Sequence, residues 1–127
     1  MVKIVVDSSV LIDFSRTGKG LFLELNDKFK QGEVDILIPT VVIYEFWSGR
    51  SMASVIAEKK AKELLSKYNK IVLGEIVAEK AGDLTRKFSM EGMDAIIAAT
   101  CLEEKAELAT LNQKHFAKVP GLKLWRS

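Results

Sequence analysis

The chain has 127 residues, 48% of them hydrophobic, with 19 Lys and Arg against 17 Asp and Glu, which suits one domain with a single core and leaves no room for a second. A lone cysteine excludes an intramolecular disulfide, and one histidine beside one cysteine argues against a structural zinc site or a cysteine protease. No stretch approaches the roughly 18 apolar residues of a membrane span, and the N-terminus runs straight into a strand pattern with no signal peptide, so a cytoplasmic protein is expected.

The apolar run Val2-Lys3-Ile4-Val5-Val6 reads as a strand buried on both faces. Asp7 closes it, and Ser8 or Ser9 suits the N-cap of a helix carrying Val10-Leu11-Ile12. The Asp7 carboxylate is thereby placed at the carboxyl end of a buried strand, where ligands bind in open α/β sheets. Phe22, Leu25 and Phe29 fall at helical spacing, and a second strand is expected over residues 34–38. After Pro39, a helix capped by Thr40 carries Glu45, the only charge between Asp35 and Arg50.

Residues 51–90 read as almost wholly helical, with Ala57, Ala61, Leu64 and Tyr68, then Val77, Ala81, Leu84 and Phe88, at helical spacing and a short extended piece at 71–73. This segment is expected to form a helical arm or cap on the sheet's edge. Asp94 opens Ala95-Ile96-Ile97-Ala98-Ala99-Thr100, a helix apolar all round and therefore central to the fold, with Cys101 as a small buried hydrophobe. Strands at 107–111 and 122–125 complete the pattern. Strands alternating with helices predict a single-domain α/β fold whose mostly parallel sheet is covered on both faces.

Three carboxylates, Asp7, Glu45 and Asp94, thus lie beside core elements with no Lys or Arg adjacent in sequence to pair with them. Burying them is unfavourable, and a divalent cation would resolve the conflict, because oxygen-rich carboxylate pockets suit Mg²⁺ or Mn²⁺. Each acid also has an ordinary reading taken singly: Asp94 as a helix cap, Asp7 as part of a tight turn, Glu45 as a solvent-facing side chain. The joint pattern favours the metal. Gly18-Lys19-Gly20 lacks the remaining residues of a phosphate-cradling loop, and neither Gly-x-Gly-x-x-Gly nor Gly-x-Ser-x-Gly occurs. A phospho-acceptor receiver would need a pair of acids after the first strand and another Asp after a later one; Asp7 stands alone and residues 34–38 lead into Pro39.

The basic residues are unevenly spread. Between Arg50 and Lys70 there are six against two acids, among them Lys59 and Lys60, and Lys114, Lys118, Lys123 and Arg126 occupy an acid-free C-terminal stretch. Two basic surfaces could flank an acidic pocket in an enzyme acting on nucleic acid, or be plain solvated faces. Mean hydropathy is +0.10, and Phe46, Trp47 and Trp125 add apolar area beyond what so small a domain is expected to bury, predicting a homodimer.

The segments Val5-Val6-Asp7-Ser8-Ser9-Val10-Leu11-Ile12-Asp13, Pro39-Thr40-Val41-Val42-Ile43-Tyr44-Glu45, Gly92-Met93-Asp94-Ala95-Ile96-Ile97-Ala98-Ala99-Thr100 and Ala109-Thr110-Leu111-Asn112-Gln113-Lys114-His115-Phe116 together resemble the four motifs of PIN-domain ribonucleases. The look of the whole chain is similar to the VapC-type toxins of toxin–antitoxin modules. That resemblance implies an α/β/α sandwich in which Asp7, Glu45 and Asp94 bind Mg²⁺ or Mn²⁺. It further implies hydrolysis of RNA by a homodimer that a cognate antitoxin silences. Ser9 matches a hydroxyl residue of the first motif that orients a carboxylate or a water, and Asp13 falls in the same motif. Many members carry a further acid in the last motif, where this chain has Asn112 and His115. Asn112 can offer a carbonyl oxygen but no charge, which favours a single well-held ion.

Overall fold

The computed structural model describes residues 1–126. Ile4, Val5 and Val6 are fully buried because their strand, β1 (Val2–Val6), has a neighbour on either side. After α1 (Ser8–Thr17) and α2 (Leu21–Lys30) the chain returns as β2 (Val34–Pro39), parallel to β1 with Ile4 opposite Ile36. There follow α3 (Thr40–Trp47), a 3-10 turn (Arg50–Ala53), α4 (Val55–Leu65) and β3 (Asn69–Ile71), which pairs with Leu37, Ile38 and Pro39. Then come α5 (Glu75–Phe88), α6 (Gly92–Glu104), β4 (Glu107–Ala109) and α7 (Gln113–Phe116). All pairings are parallel in the order β3-β2-β1-β4, and the helices flank the sheet in the three-layer α/β/α arrangement expected from the sequence.

This strand order has one consequence that matters for function. From β1 the chain builds outward through β2 and β3, then crosses back to add β4 on the far side of β1. The reversal leaves a crevice at the carboxyl ends of β1 and β4, the position at which open parallel sheets bind ligands. Asp7 directly follows β1 and Thr110 directly follows β4.

Helix α6 is central, as its composition predicted. Ala95, Ile97, Ala98, Ala99, Thr100 and Cys101 are all buried, and the buried Thr100 hydroxyl donates to the Ile96 carbonyl at 2.7 Å. Its main neighbour is α5, which turns Val77, Ala81 and Leu84 inward. Burial pushes the Cys101 thiol well above its ordinary pKa, consistent with an inert packing residue. No helix among the described residues is long and apolar enough to cross a membrane.

Several local expectations are corrected. The cap of α1 is Asp7 itself, whose side chain accepts from the Ser8 amide, and α3 is preceded by Pro39, with Thr40 as its first residue. The stretch 51–90 is interrupted by β3, which lies two residues earlier than the extended piece expected at 71–73. The strand expected at 107–111 stops at Ala109, and residues 122–125 contribute only an isolated bridge, Leu124 opposite Leu108. Phe46 and Trp125 are buried within the domain, so they are not surplus apolar surface; Tyr44, Val72 and Ile76, each more than 60% exposed, are.

The full burial of Ile97 on the helix that carries Asp94 makes it a test of the core. Ile97→Ala should cost about 2–5 kcal/mol, read as a lower midpoint in urea unfolding. A loss well under 1 kcal/mol would show that α6 is not packed as described.

Candidate active site

Asp7 is 3% exposed, and its carboxylate is held from three directions. Oδ1 accepts from the Ser8 amide at 2.9 Å; Oδ2 accepts from the Ser9 hydroxyl and from the Thr110 hydroxyl, each at 2.8 Å. Both hydroxyls are themselves fixed, because Ser9 Oγ accepts from the Leu111 amide at 3.1 Å and Thr110 Oγ1 from the Asn112 amide at 3.0 Å. The Asp7 amide donates to the Ala109 carbonyl at 3.0 Å, carrying the β1–β4 ladder one step into the site. Asp7 is therefore a helix cap and a buried anion at once.

Glu45, half-buried on α3, accepts from the Ser8 hydroxyl at 3.1 Å through Oε1. Asp94 lies in the first turn of α6, and its Oδ2 is 3.4 Å from Nδ1 of His115 on α7. Burial raises the pKa of Glu45; the Ser8 hydrogen bond opposes this, and the charges of Asp7, Asp94 and Glu91 add to it. Asp94 is raised by burial and by Asp7, against the lowering contact with His115, with Glu91 again adding. Four acids, from three places in the sequence, thus feel one another's charge.

Among the described residues no group of three or more His, Cys, Asp or Glu side chains forms a ready metal cage. The donor chemistry nonetheless fits a hard divalent ion: the groups are all carboxylates, and a cation between them would offset the burial, and the smaller mutual repulsion, that raise Glu45 and Asp94.

Ser9 touches Asp7 directly. Asn112 is exposed just before α7, fixed through its backbone amide, and its side chain makes no capping bond. Asp13 lies away from the cluster, its Oδ2 set against Gly20 in the α1–α2 connection. Lys118 borders the same cleft as Asp94, whereas Lys60 lines a separate groove with Phe14, Phe46 and Leu64. Arg50, Lys59 and Lys114 are exposed on the 3-10 turn, α4 and α7. Sequence reasoning gave no site role to Ser8, Glu91 or Thr110. Thr110 was legible only as a residue of the last motif, since nothing local shows that its hydroxyl reaches back 103 positions to Asp7.

The sequence profile of the PIN domain family matches residues 4–122. The chain belongs to the PIN-domain family. Members of this family are in general nucleases that use divalent metal ions. Among solved structures, this PIN domain is similar to a chain of a toxin–antitoxin complex from Klebsiella pneumoniae, with 27% identity, a TM-score of 0.75 and 94% of each chain covered. It also matches VapBC2 from Rickettsia felis bound to a promoter DNA fragment, at 20% identity and TM-score 0.81, over 98% of this chain and 100% of that one. DNA-bound VapBC from Salmonella typhimurium matches at 17% identity and TM-score 0.78, with 98% of each chain covered. No curated protein sequence matches at a significant level.

The raised acids make a pH test possible. Both Glu45 and Asp94 hold a proton more tightly folded than unfolded, so their contribution to stability is greatest below the unfolded carboxylate range and is lost as pH rises through the raised values. Asp94→Asn removes one such group. In metal-free buffer the variant should gain stability relative to the parent as pH rises above the ordinary carboxylate range near about pH 4, measured by urea unfolding at a series of pH values. Parallel curves for the two proteins would show that the fold does not raise the proton affinity of Asp94.

Proposed function

We propose that this PIN domain is a metal-dependent endoribonuclease acting as the toxin of a toxin–antitoxin pair. The observation that carries the reading is the convergence of Asp7, Glu45 and Asp94 on the crevice where the strand order reverses. Asp7, Glu45 and Asp94 would hold Mg²⁺ or Mn²⁺, with the Asn112 carbonyl available to complete the shell. When bound, such an ion neutralises charge on a phosphodiester and makes water a stronger nucleophile at neutral pH.

The chain's own residues do the positioning. Ser8, Ser9 and Thr110 lock the Asp7 carboxylate before any ligand arrives, so no ordering cost falls on the reaction. Glu45, held by Ser8 and raised in pKa, is suited to orient the attacking water and take its proton. Hydrolysis adds water across the P–O3′ bond, leaving a 5′-phosphate and a 3′-hydroxyl. Arg50, Lys59, Lys60, Lys114 and Lys118 supply positive charge for the RNA strand. An antitoxin partner is supported by the similarity to chains of toxin–antitoxin complexes.

Asp94→Asn should lower Mg²⁺- or Mn²⁺-dependent cleavage of RNA by about a hundredfold or more while circular dichroism shows the fold retained. Equal cleavage by parent and variant would remove Asp94 from the machinery. Asn112, which stands in the last motif where a further acid would add charge, supports a second reading, a PIN-like module that binds RNA or a protein without cutting it. A parent protein that binds RNA and leaves it intact in either metal would establish that second reading.

We further propose a homodimer, supported by the exposed Tyr44, Val72, Leu73 and Ile76. Sedimentation at tens of micromolar, an order-of-magnitude range in which ordinary dimers form, should give twice the subunit mass, and Ile76→Glu should lower it. A monomer throughout that range overturns the proposal.

A further inference from the structure

The turn that follows Asn112 has two sides. Phe116 and Val119 are buried, while His115 and Lys118, offset from them by one position, face outward. The turn continues past the end of α7, with the Val119 amide donating to the Phe116 carbonyl at 3.1 Å, so His115 and Lys118 stand three residues apart on the same side. They form one wall of a cleft of about 200 Å³ whose other lining residues are Ser89, Met90, Glu91 and Asp94.

The chemistry of that lining is mixed in a specific way. The His115 ring is anchored at one edge by the Nδ1 contact with Asp94, yet its side chain is 65% exposed, leaving ring surface open to a ligand. Met90, buried in the lining, is a polarisable apolar group suited to aromatic contact. Lys118 makes no ion pair among the described residues, so its charge is uncommitted. Glu91, an exposed residue of the lining, can accept from an amino group. The cleft is smaller than the roughly 300–1,000 Å³ of sites that enclose a drug-sized ligand, which suits a single flat group.

We propose that this cleft is a subsite for one nucleotide of single-stranded RNA next to the bond that is cut, with the His115 ring stacking on the base and Lys118 holding an adjoining phosphate. The proposal rests on the nuclease reading for its orientation: Asp94 is shared between the cleft and the acidic cluster, so a base seated against His115 places its neighbouring phosphate near the carboxylates. Recognition of this kind is how proteins commonly hold unpaired strands, by a ring against each base and a cation against the backbone.

The test is binding without cleavage. Fluorescence anisotropy with short labelled homopolymeric RNAs, in chelator and at several salt concentrations, would compare the parent with His115→Ala, His115→Phe and Lys118→Gln, each checked for fold by circular dichroism. His115→Ala should weaken binding about five- to a hundredfold, and His115→Phe, which keeps a ring, should stay close to the parent. Lys118→Gln should reduce the slope of log affinity against log salt by about 0.7. Unchanged affinity in His115→Ala, an equal loss in His115→Phe, or no RNA binding by the parent would each overturn the subsite. If RNA is cleaved in an Asp94-dependent way while the His115 and Lys118 variants bind as the parent does, only the subsite fails. If His115→Ala and Lys118→Gln change binding as expected, His115→Phe binds as the parent does and the parent never cleaves, only the nuclease reading fails.

Discussion

The interaction on which this structure depends is the capture of one buried anion. The Asp7 carboxylate is removed from water at the end of the central strand and compensated by an amide and two hydroxyls, drawn from α1 and from the segment that follows β4. Hydrogen bonds to a charged group contribute roughly 1.5–3 kcal/mol each, enough for three to offset much of what desolvating a carboxylate costs. The same bonds fix the chain on both sides of the crevice. Ser9 ties the start of α1 to the Leu111 amide, and Thr110 ties Asp7 to the Asn112 amide, so the loop leading into α7 is hung from the acid it encloses.

Around that settled anion stand acids that are not settled. Glu45 has a single hydroxyl donor and Asp94 a partly exposed imidazole, and each has its proton affinity raised by burial and by its neighbours. The fold tolerates this because the elements bearing them are held by something else: α3 by Val42 and Phe46 in the core, α6 by an almost unbroken set of buried small and branched side chains. Apolar packing thus holds charges close together that would otherwise move apart. Such stored repulsion is characteristic of sites that gain a cation or transfer protons.

Much of this was legible in the residues. A strand with no polar face must be covered on both sides, which placed β1 centrally, and an all-round apolar helix can only be internal, which placed α6. Asp7, Glu45 and Asp94 stood out because a lone charge in an apolar run is costly wherever it sits. Short elements were less legible. Three-residue strands such as β3 and β4 carry too few residues to show a period, and residues 122–125 have strand composition yet meet β4 at one bridge only. The caps fall at Asp7 and Pro39, and not at Ser8 or Ser9 and Thr40, because propensity ranks residue types, whereas the cap is decided by which residue first leaves helical backbone geometry.

By itself the sequence determined the alternation of strand and helix, the core-facing positions and the identity of the costly acids, since each follows from local periodicity or from the price of burying charge. Tertiary structure alone decided which groups answer them. The order β3-β2-β1-β4 is a choice among topologies that local pattern does not distinguish, and it is what brings Thr110 beside Asp7 and His115 beside Asp94. It also decided that Trp125 is buried while Val72 and Ile76 are not, because burial depends on where an edge falls and not on how apolar a residue is. Hydrogen bonds and charge effects act over a few ångströms in space, and contacts spanning 103 residues of chain exist only once the sheet has closed around its central strand.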